Sequence, residues 1–264
     1  MDLLAELLKD LREETASLER LLAPLRPGQW ELPTPAEGWA IRDQVGHLAW
    51  FDEAATRAVA DPAGFRKTLP AVAETFVDEL AEQARSIPVE GVLEWFRRAR
   101  ATMLETFATL GPKDRVPWYG PDMSAASFVT ARLMETWAHG EDVAGALGVA
   151  RPPTARLRHV AALGVRAMPY GFAVRGLPVP TEPVRVELTM PDGSRWSAGP
   201  PDAADRVTGS MLDFCLLVTQ RVHRDDTDLE AQGDTAVAWL GVAQAFAGPP
   251  GKGRPPGRSQ GHAG

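Results

Sequence analysis

The chain has 264 residues, of which 44% are hydrophobic and 24% charged, a composition that fits one large globular domain or two modest ones. Its net charge of −7 disfavours nucleic acid as a main partner, and its single cysteine excludes an internal disulfide. The N-terminus lacks the pattern of a signal peptide and no apolar run is long enough for a membrane span, so we expect a cytoplasmic protein with no membrane partner.

The first half of the chain is predicted to be helical. Leucines repeat every seven residues from Leu4 to Leu25, and this helix should end at Pro27. Apolar residues at helical spacing predict further helices over residues 40–61, 71–85, 89–110 and 124–148. Long helices with short connections indicate a bundle in residues 1–150. The leucine stripe is compatible with packing inside that bundle or across a homodimer interface.

The second half changes character. A helix is predicted over residues 154–171 and a hairpin over residues 184–198, where Val184, Val186 and Leu188 alternate with polar residues. A short strand at Arg206–Thr208 and helices over residues 210–222 and 233–248 follow. Together they indicate an α+β domain in residues 151–248, and the Gly- and Pro-rich residues 249–264 are expected to be a disordered tail.

Two histidines and a glutamate have the placement of metal ligands. Glu135 and His139 are four residues apart on one predicted helix, so their side chains project from the same face. His47 lies among core-forming residues of the second helix. Facing helices of a bundle bring such side chains to a common point. Two imidazoles and one carboxylate suit Zn²⁺, and also Ni²⁺, Fe²⁺ or Mn²⁺, and leave a coordination position open.

The same spacing has a plainer interpretation. A Glu and a His four residues apart also occur as a helix-stabilising pair, and a buried histidine is often only hydrogen-bonded. Under this interpretation the bundle is purely structural, and replacing His47 has little effect.

Two sequence blocks carry a family resemblance. The block GWAIRDQVGHLAWFDEAA contains Trp39 and the His47-Leu48 pair, and METWAHGEDVAGALG contains Glu135 and His139. They resemble the two metal-ligand segments of the mycothiol-dependent maleylpyruvate isomerase N-terminal domain, a family of the DinB-like superfamily. The resemblance implies a DinB-like up-and-down four-helix bundle in residues 1–150 and a divalent metal bound by His47, Glu135 and His139.

Two acids near these ligands are candidates for supporting roles. Asp142 lies one turn beyond His139, where its carboxylate would hold the second imidazole nitrogen, or would simply be a solvated acid at the helix end. The family usually has Ser or Thr where Ala40 stands, so Asp43 is either a replacement helix cap or an acid supporting the metal site.

The C-terminal region also resembles known sequences. It is similar to the corresponding part of an actinobacterial group of uncharacterised metal-binding proteins, and to a sterol-carrier-protein-like domain. In the isomerase this domain supplies an arginine, and Arg221 stands at the nearest position. It would either clamp a substrate carboxylate or lie solvated at a helix end. The same region is sometimes grouped with wyosine-formation domains, but the acidic balance and missing cluster cysteines do not support a role on tRNA.

The leading functional hypothesis is a metal-dependent enzyme that uses a low-molecular-weight thiol, mycothiol in the family. A bound metal lowers the pKa of a thiol, and the resulting thiolate attacks an electrophile, giving isomerisation or S-transfer. The alternative is a non-catalytic metal-binding protein that binds a small apolar ligand.

Overall fold

The computed structural model describes residues 2–69 and 84–257. The chain divides into two compact units, Met1–Val149 and Ala150–Gly264. Within the described ranges, no helix is both long and apolar enough to cross a membrane. The mainly α architecture, with a smaller part that contains a sheet, confirms the predicted fold class.

Four long helices build the N-terminal unit. They are α1 (Leu3–Leu22), α2 (Ile41–Ala60), α4 (Val89–Phe107) and α5 (Ala125–Leu147), with a short α3 (Pro62–Thr68) after α2. Helix α2 packs against α4 and α5, and α1 packs against α5. These four helices were predicted from periodicity. Apart from residues 84 and 85, the helix predicted over 71–85 lies outside the described residues.

Local signals set the ends of these helices. The Asp2 carboxylate accepts a hydrogen bond from the Leu4 N–H at the start of α1, and Ser124 Oγ accepts one from the Ser127 N–H at the start of α5. Helix α5 ends at Gly148, whose φ of 65° is left-handed and favours glycine. The loop between α4 and α5 carries two short antiparallel strands, β1 (Arg115–Val116) and β2 (Met123–Ser124).

The leucine stripe of α1 packs inside this chain. Its members Leu4, Leu11 and Leu18 are at most 1% exposed, so the bundle buries them without a partner chain. These leucines therefore do not support the homodimer, which stays a prediction.

A buried ionic network ties the four helices together. Asp52 of α2 is fully buried and accepts hydrogen bonds from Arg100 of α4 at 2.6 Å and Arg132 of α5 at 3.1 Å. Arg100 also donates to Thr15 of α1 and to Thr136 of α5. Burial lowers the pKa of Arg100, and the Asp52 carboxylate opposes that shift. Because all three charged groups are buried, removing one of them leaves a buried charge without its compensating partner.

The C-terminal unit contains a four-stranded sheet. The strands are β3 (Val184–Thr189), β4 (Arg195–Ala198), β5 (Asp205–Ser210) and β6 (Glu230–Gln232). Their order in the sheet is β4-β3-β5-β6. Strands β3 and β4 form the predicted hairpin, β5 lies parallel to β3, and β6 is antiparallel to β5. The helices are α6 (Leu157–Arg166), α7 (Met168–Ala173), α8 (Met211–Val218) and α9 (Asp234–Val242).

Three helices of this unit differ from the prediction. Helix α8, expected over residues 210–222, ends at Val218. The helix expected over residues 154–171 is divided at Ala167, and Pro169 lies in the first turn of the second piece, α7. The last helix, expected to reach residue 248, ends at Val242. There Ala243 is extended and the Ala245 N–H donates to the Val218 carbonyl, so tertiary hydrogen bonds replace the helical ones.

The start of the tail makes hydrogen bonds within this unit. The Gly251 N–H donates to Gln244 Oε1, and the Gly257 N–H donates to the Asp226 carboxylate, each at 3.0 Å. Residues 258–264 lie outside the described residues.

Candidate metal centre

Helices α2 and α5 bring the three predicted ligands together. Glu135 and His139 lie one turn apart on α5, and Glu135 Oε2 is 3.1 Å from His139 Nε2. His47 approaches from α2, with its Nε2 3.9 Å from the same carboxylate oxygen. One ligand atom from each residue lies within 4.8 Å of the other two. The positions picked out by sequence spacing therefore converge in space.

The carboxylate of this cluster is ionised at neutral pH. Burial of Glu135 opposes its ionisation, but the hydrogen bond with His139 and the electrostatic interactions with His139, His47 and Arg132 outweigh that effect. They lower the pKa of Glu135 to about 2. The cluster therefore offers a negative oxygen beside two imidazole nitrogens.

A glutamine that sequence reasoning missed orients His139. The Nδ1–H of His139 donates to Gln44 Oε1, and Gln44 is fully buried. The Gln44 amide donates in turn to Thr34 Oγ1 at 2.9 Å, and that hydroxyl donates to the Trp39 carbonyl at 2.8 Å. Because an amide oxygen only accepts, a proton of His139 is held on Nδ1, and Nε2, which faces Glu135, is the nitrogen through which the ring would bind an ion.

The two acids near the ligands have defined surroundings. Asp43 accepts a hydrogen bond from the Ala40 N–H at 2.8 Å and pairs with Arg85 at 2.9 Å, which are the contacts of a replacement cap of α2. Its alternative role as an acid supporting the metal site stays a prediction. Asp142 is buried on α5, and the hydrogen bond to His139 Nδ1 expected of it is made by Gln44. A supporting role of the Asp142 carboxylate stays a prediction.

Aromatic rings surround the two imidazoles. The Trp39 ring lies 5.4 Å from the His47 ring and stacks at 6.0 Å on the His139 ring. The Phe51 ring lies 4.6 Å from the His47 ring. These apolar neighbours lower the local dielectric constant and strengthen the electrostatic interactions of the cluster.

Two other candidates lie in the C-terminal unit. Arg221 follows α8 and its Nη1 donates to the Thr219 carbonyl at 2.6 Å. Its role toward a substrate carboxylate stays a prediction. Cys215 is buried, its thiol donates to the Leu157 carbonyl, and burial raises its pKa well above the usual range. It is a packed core thiol, as its apolar helix indicates, and not a nucleophile.

The donor set fits a divalent transition metal ion. Two imidazoles and one carboxylate converge from two packed helices, and an outer hydrogen bond fixes one of the rings. Three protein ligands of this kind are typical of catalytic sites, because they leave a position for a small molecule. A structural site would have a fourth protein ligand.

Sequence comparison places this arrangement in a known family. The family model described as mycothiol maleylpyruvate isomerase N-terminal domain matches residues 11–144, a range that includes all three candidate ligands. The chain belongs to this family. Two uncharacterised proteins from two strains of Mycobacterium tuberculosis are each 51% identical to it over 249 residues, which cover 93% of this chain and 96% of theirs.

Solved structures agree on the fold. The crystal structure of the mycothiol-dependent maleylpyruvate isomerase is similar to this member of the family with a TM-score of 0.61 and 17% identity. The match covers 88% of this chain and 95% of the isomerase. A histidine-to-alanine variant of the isomerase gives a TM-score of 0.60 and 16% identity over the same shares. A second family model, described as wyosine base formation, matches residues 180–232, which contain the sheet.

The contact between Gln44 and His139 leads to a prediction. Gln44→Leu removes the acceptor of the Nδ1 proton, so we expect the affinity for Zn²⁺ to fall about 10–100-fold. Gln44→Glu keeps an acceptor at this point and should retain most of the affinity. Competition with a chromophoric chelator measures both. An unchanged affinity in the leucine variant, with native circular dichroism, would contradict the role of Gln44.

Proposed function

We propose that this protein binds a divalent metal ion through His47, Glu135 and His139 and uses it in a thiol-dependent isomerisation or S-transfer. Zinc is the first choice, and Ni²⁺, Fe²⁺ and Mn²⁺ are compatible with the same donors. The observation that carries the proposal is the convergence of three ligand atoms within 4.8 Å on two facing helices. The proposed thiol is mycothiol, which the family description names.

Each residue of the site has a defined task in this proposal. His47, Glu135 and His139 bind the ion, and Gln44 keeps His139 in the tautomer that binds through Nε2. When bound, the ion supplies Lewis acidity that lowers the pKa of a thiol and favours its thiolate. Trp39 and Phe51 limit the access of water. A nucleophile from outside the chain is consistent with the burial of Cys215, the single cysteine.

The second reactant is a small electrophile. Arg221 is the proposed partner of a carboxylate on that molecule, because a guanidinium binds a carboxylate through two parallel hydrogen bonds. A tRNA substrate is not proposed, because the net charge of −7 opposes phosphate binding and one cysteine cannot ligate an iron–sulfur cluster.

A direct assay tests the proposal. Zn²⁺-loaded full-length protein is incubated with mycothiol and either maleylpyruvate or a haloalkyl bimane, which report isomerisation and S-transfer. We expect turnover with at least one electrophile, and we expect it to require both the thiol and the metal. Protein stripped by a chelator, and reactions without thiol, are the controls.

Metal-loaded protein that shows no thiol-dependent turnover would favour the second candidate, a non-catalytic metal-binding protein with a small apolar ligand. The aromatic rings beside His47 are the observation in its favour.

A further inference from the structure

Four aromatic rings form a continuous surface beside the metal centre. We call Trp50, Phe51, Trp118 and Tyr119 the aromatic patch. Phe51 links it to the centre, because its ring lies 4.6 Å from His47, 5.0 Å from Trp50 and 5.9 Å from Trp118. Tyr119 closes the patch, at 6.0 Å from Phe51 and 4.9 Å from Trp118. Ring contacts thus lead without a gap from a metal ligand into the patch.

The patch is held from below by buried rings. Phe65 stacks on Trp118 at 5.8 Å with an interplanar angle of 3°, and Phe128 contacts Trp118 at 4.6 Å. Phe65 also contacts Tyr119 at 5.3 Å. Phe65 and Phe128 are at most 5% exposed, whereas the four rings of the patch are all partly exposed. The patch is therefore a supported apolar surface that meets solvent.

Leaving large rings partly exposed forgoes the stabilisation that burying them would give. Trp118 and Tyr119 are less buried than Phe65 and Phe128 and so keep ring surface that a ligand can contact. The proline-rich loop between α4 and α5 places both rings against Phe51 of α2, which lies one turn after His47. Preformed apolar surfaces beside a few polar groups are typical of small-molecule sites.

The chemistry of the patch is that of uncharged π faces. Burial raises the pKa of Tyr119 to about 12, against the opposing charge of Arg57, so its hydroxyl is neutral at physiological pH. The Arg57 guanidinium lies 5.7 Å from the centre of the Trp50 ring, at the edge of the patch. Flat rings of this kind bind other planar apolar groups by stacking and edge-to-face contact.

We propose that the aromatic patch is the subsite for a planar apolar group, an aromatic ring or a conjugated chain, on the electrophile that reacts beside the metal centre. This inference rests on the proposed function for the place of reaction. It adds the substrate class: an aromatic or extended conjugated compound fits the patch, and a small dicarboxylate leaves its rings uncovered.

Binding of a ring without a thiol tests the patch independently of the metal. Metal-free full-length protein is titrated with 4-nitrobenzyl alcohol, whose nitro group quenches tryptophan fluorescence. We expect saturable quenching in the native protein and an affinity about tenfold lower in Tyr119→Ala. Tyr119→Phe keeps the ring and is the matched control, so it should bind as the native protein does. Quenching that is not saturable, or an equal affinity in Tyr119→Ala, overturns the proposal.

A second titration places the ring relative to the metal. Co²⁺-loaded protein is titrated with benzyl mercaptan and with 2-mercaptoethanol, and thiolate binding is followed by the charge-transfer absorption of cobalt. We expect benzyl mercaptan to bind about tenfold more tightly, and Phe51→Leu to reduce that ratio of the two affinities.

The two titrations separate the possible failures. An equal preference in native and Phe51→Leu protein overturns the subsite. If neither thiol gives the absorption band while 4-nitrobenzyl alcohol still binds through Tyr119, the thiol mechanism fails and the patch remains an apolar binding site.

Discussion

Replacing His139 with alanine is expected to remove stoichiometric metal binding from a protein that keeps its fold. Native protein should hold about one equivalent of Zn²⁺ after incubation and gel filtration, as a three-ligand site requires. His139→Ala leaves two ligands on two helices, and His47→Ala leaves both remaining ligands on α5. Two protein ligands are too few to hold the ion through gel filtration, so elemental analysis should find less than about a tenth of an equivalent in each variant.

The control for this experiment is His223→Ala. His223 lies in the C-terminal unit and is not part of the cluster. Its side chain accepts a hydrogen bond from the Asp225 N–H at the start of a short 3-10 helix. Its variant should retain the native metal content. Full metal content in His139→Ala with native circular dichroism would show that the ion binds elsewhere, and no metal in the native protein would remove the proposed function.

Asp52→Ala is expected to have the largest effect on stability. It leaves the guanidinium groups of Arg100 and Arg132 buried together without their shared anion. Removing one partner of a buried ionic cluster typically costs about 3–5 kcal/mol of unfolding free energy. Urea denaturation followed by circular dichroism measures the loss. A loss of less than about 1 kcal/mol would show that water or another acid compensates the two arginines.

Two further variants show whether the loss of stability comes from the uncompensated buried charges. Glu13→Ala removes the exposed pair with Lys9, which joins two largely solvated side chains, and should change stability by less than about 0.5 kcal/mol. The triple variant Asp52→Leu, Arg100→Met and Arg132→Met replaces all three charges with apolar side chains of similar length. It should recover most of the stability, because no buried charge is then left uncompensated.

The convergence of the three candidate metal ligands was predictable because their signals are local. Glu135 and His139 share a helix face at a spacing of four, and His47 lies between apolar residues of another helix. Gln44 was missed because glutamine is not a usual metal ligand and its role depends on a contact with a residue 95 positions away. Its position three residues before His47, inside a buried stripe, is the only sequence signal for it.

The buried ionic network has a signal in the sequence as well, the helical periodicity of its charged residues. Asp52 continues the apolar stripe of Ile41, Val45 and Leu48 along α2, so periodicity alone places it in the core. Arg100 and Arg132 likewise fall on the buried faces of their helices. A charge on an apolar stripe indicates a buried partner, but one sequence does not show which residue that partner is.

In the C-terminal unit, alternation predicted the hairpin well, because Val184, Val186 and Leu188 form a buried face of β3 and the period of two is clear. Strand β6 was not predicted, since its three residues Glu230–Gln232 carry no such pattern and their pairing depends on β5. The predicted end of α9 lies six residues beyond the observed one, again because contacts with other parts of the unit decide it. Residues after Val242 have good helix propensity, but their hydrogen bonds go to other parts of the unit.

The pairing of Asp52 with Arg132 bears on the choice of ion. Arg132 lies three residues before Glu135 on α5. Its ion pair of 3.0 Å with the buried Asp52 joins α5 to α2 at this point. The separation of the helices is thus fixed by the core, and an ion of a different radius has to be accommodated by the ligands themselves. His47 and His139 are 12% and 9% exposed at their side chains, whereas Glu135 is 25% exposed. In the proposed metal site the carboxylate is therefore the ligand with the most freedom to adjust, through one oxygen or both, while the two more buried imidazoles keep their positions.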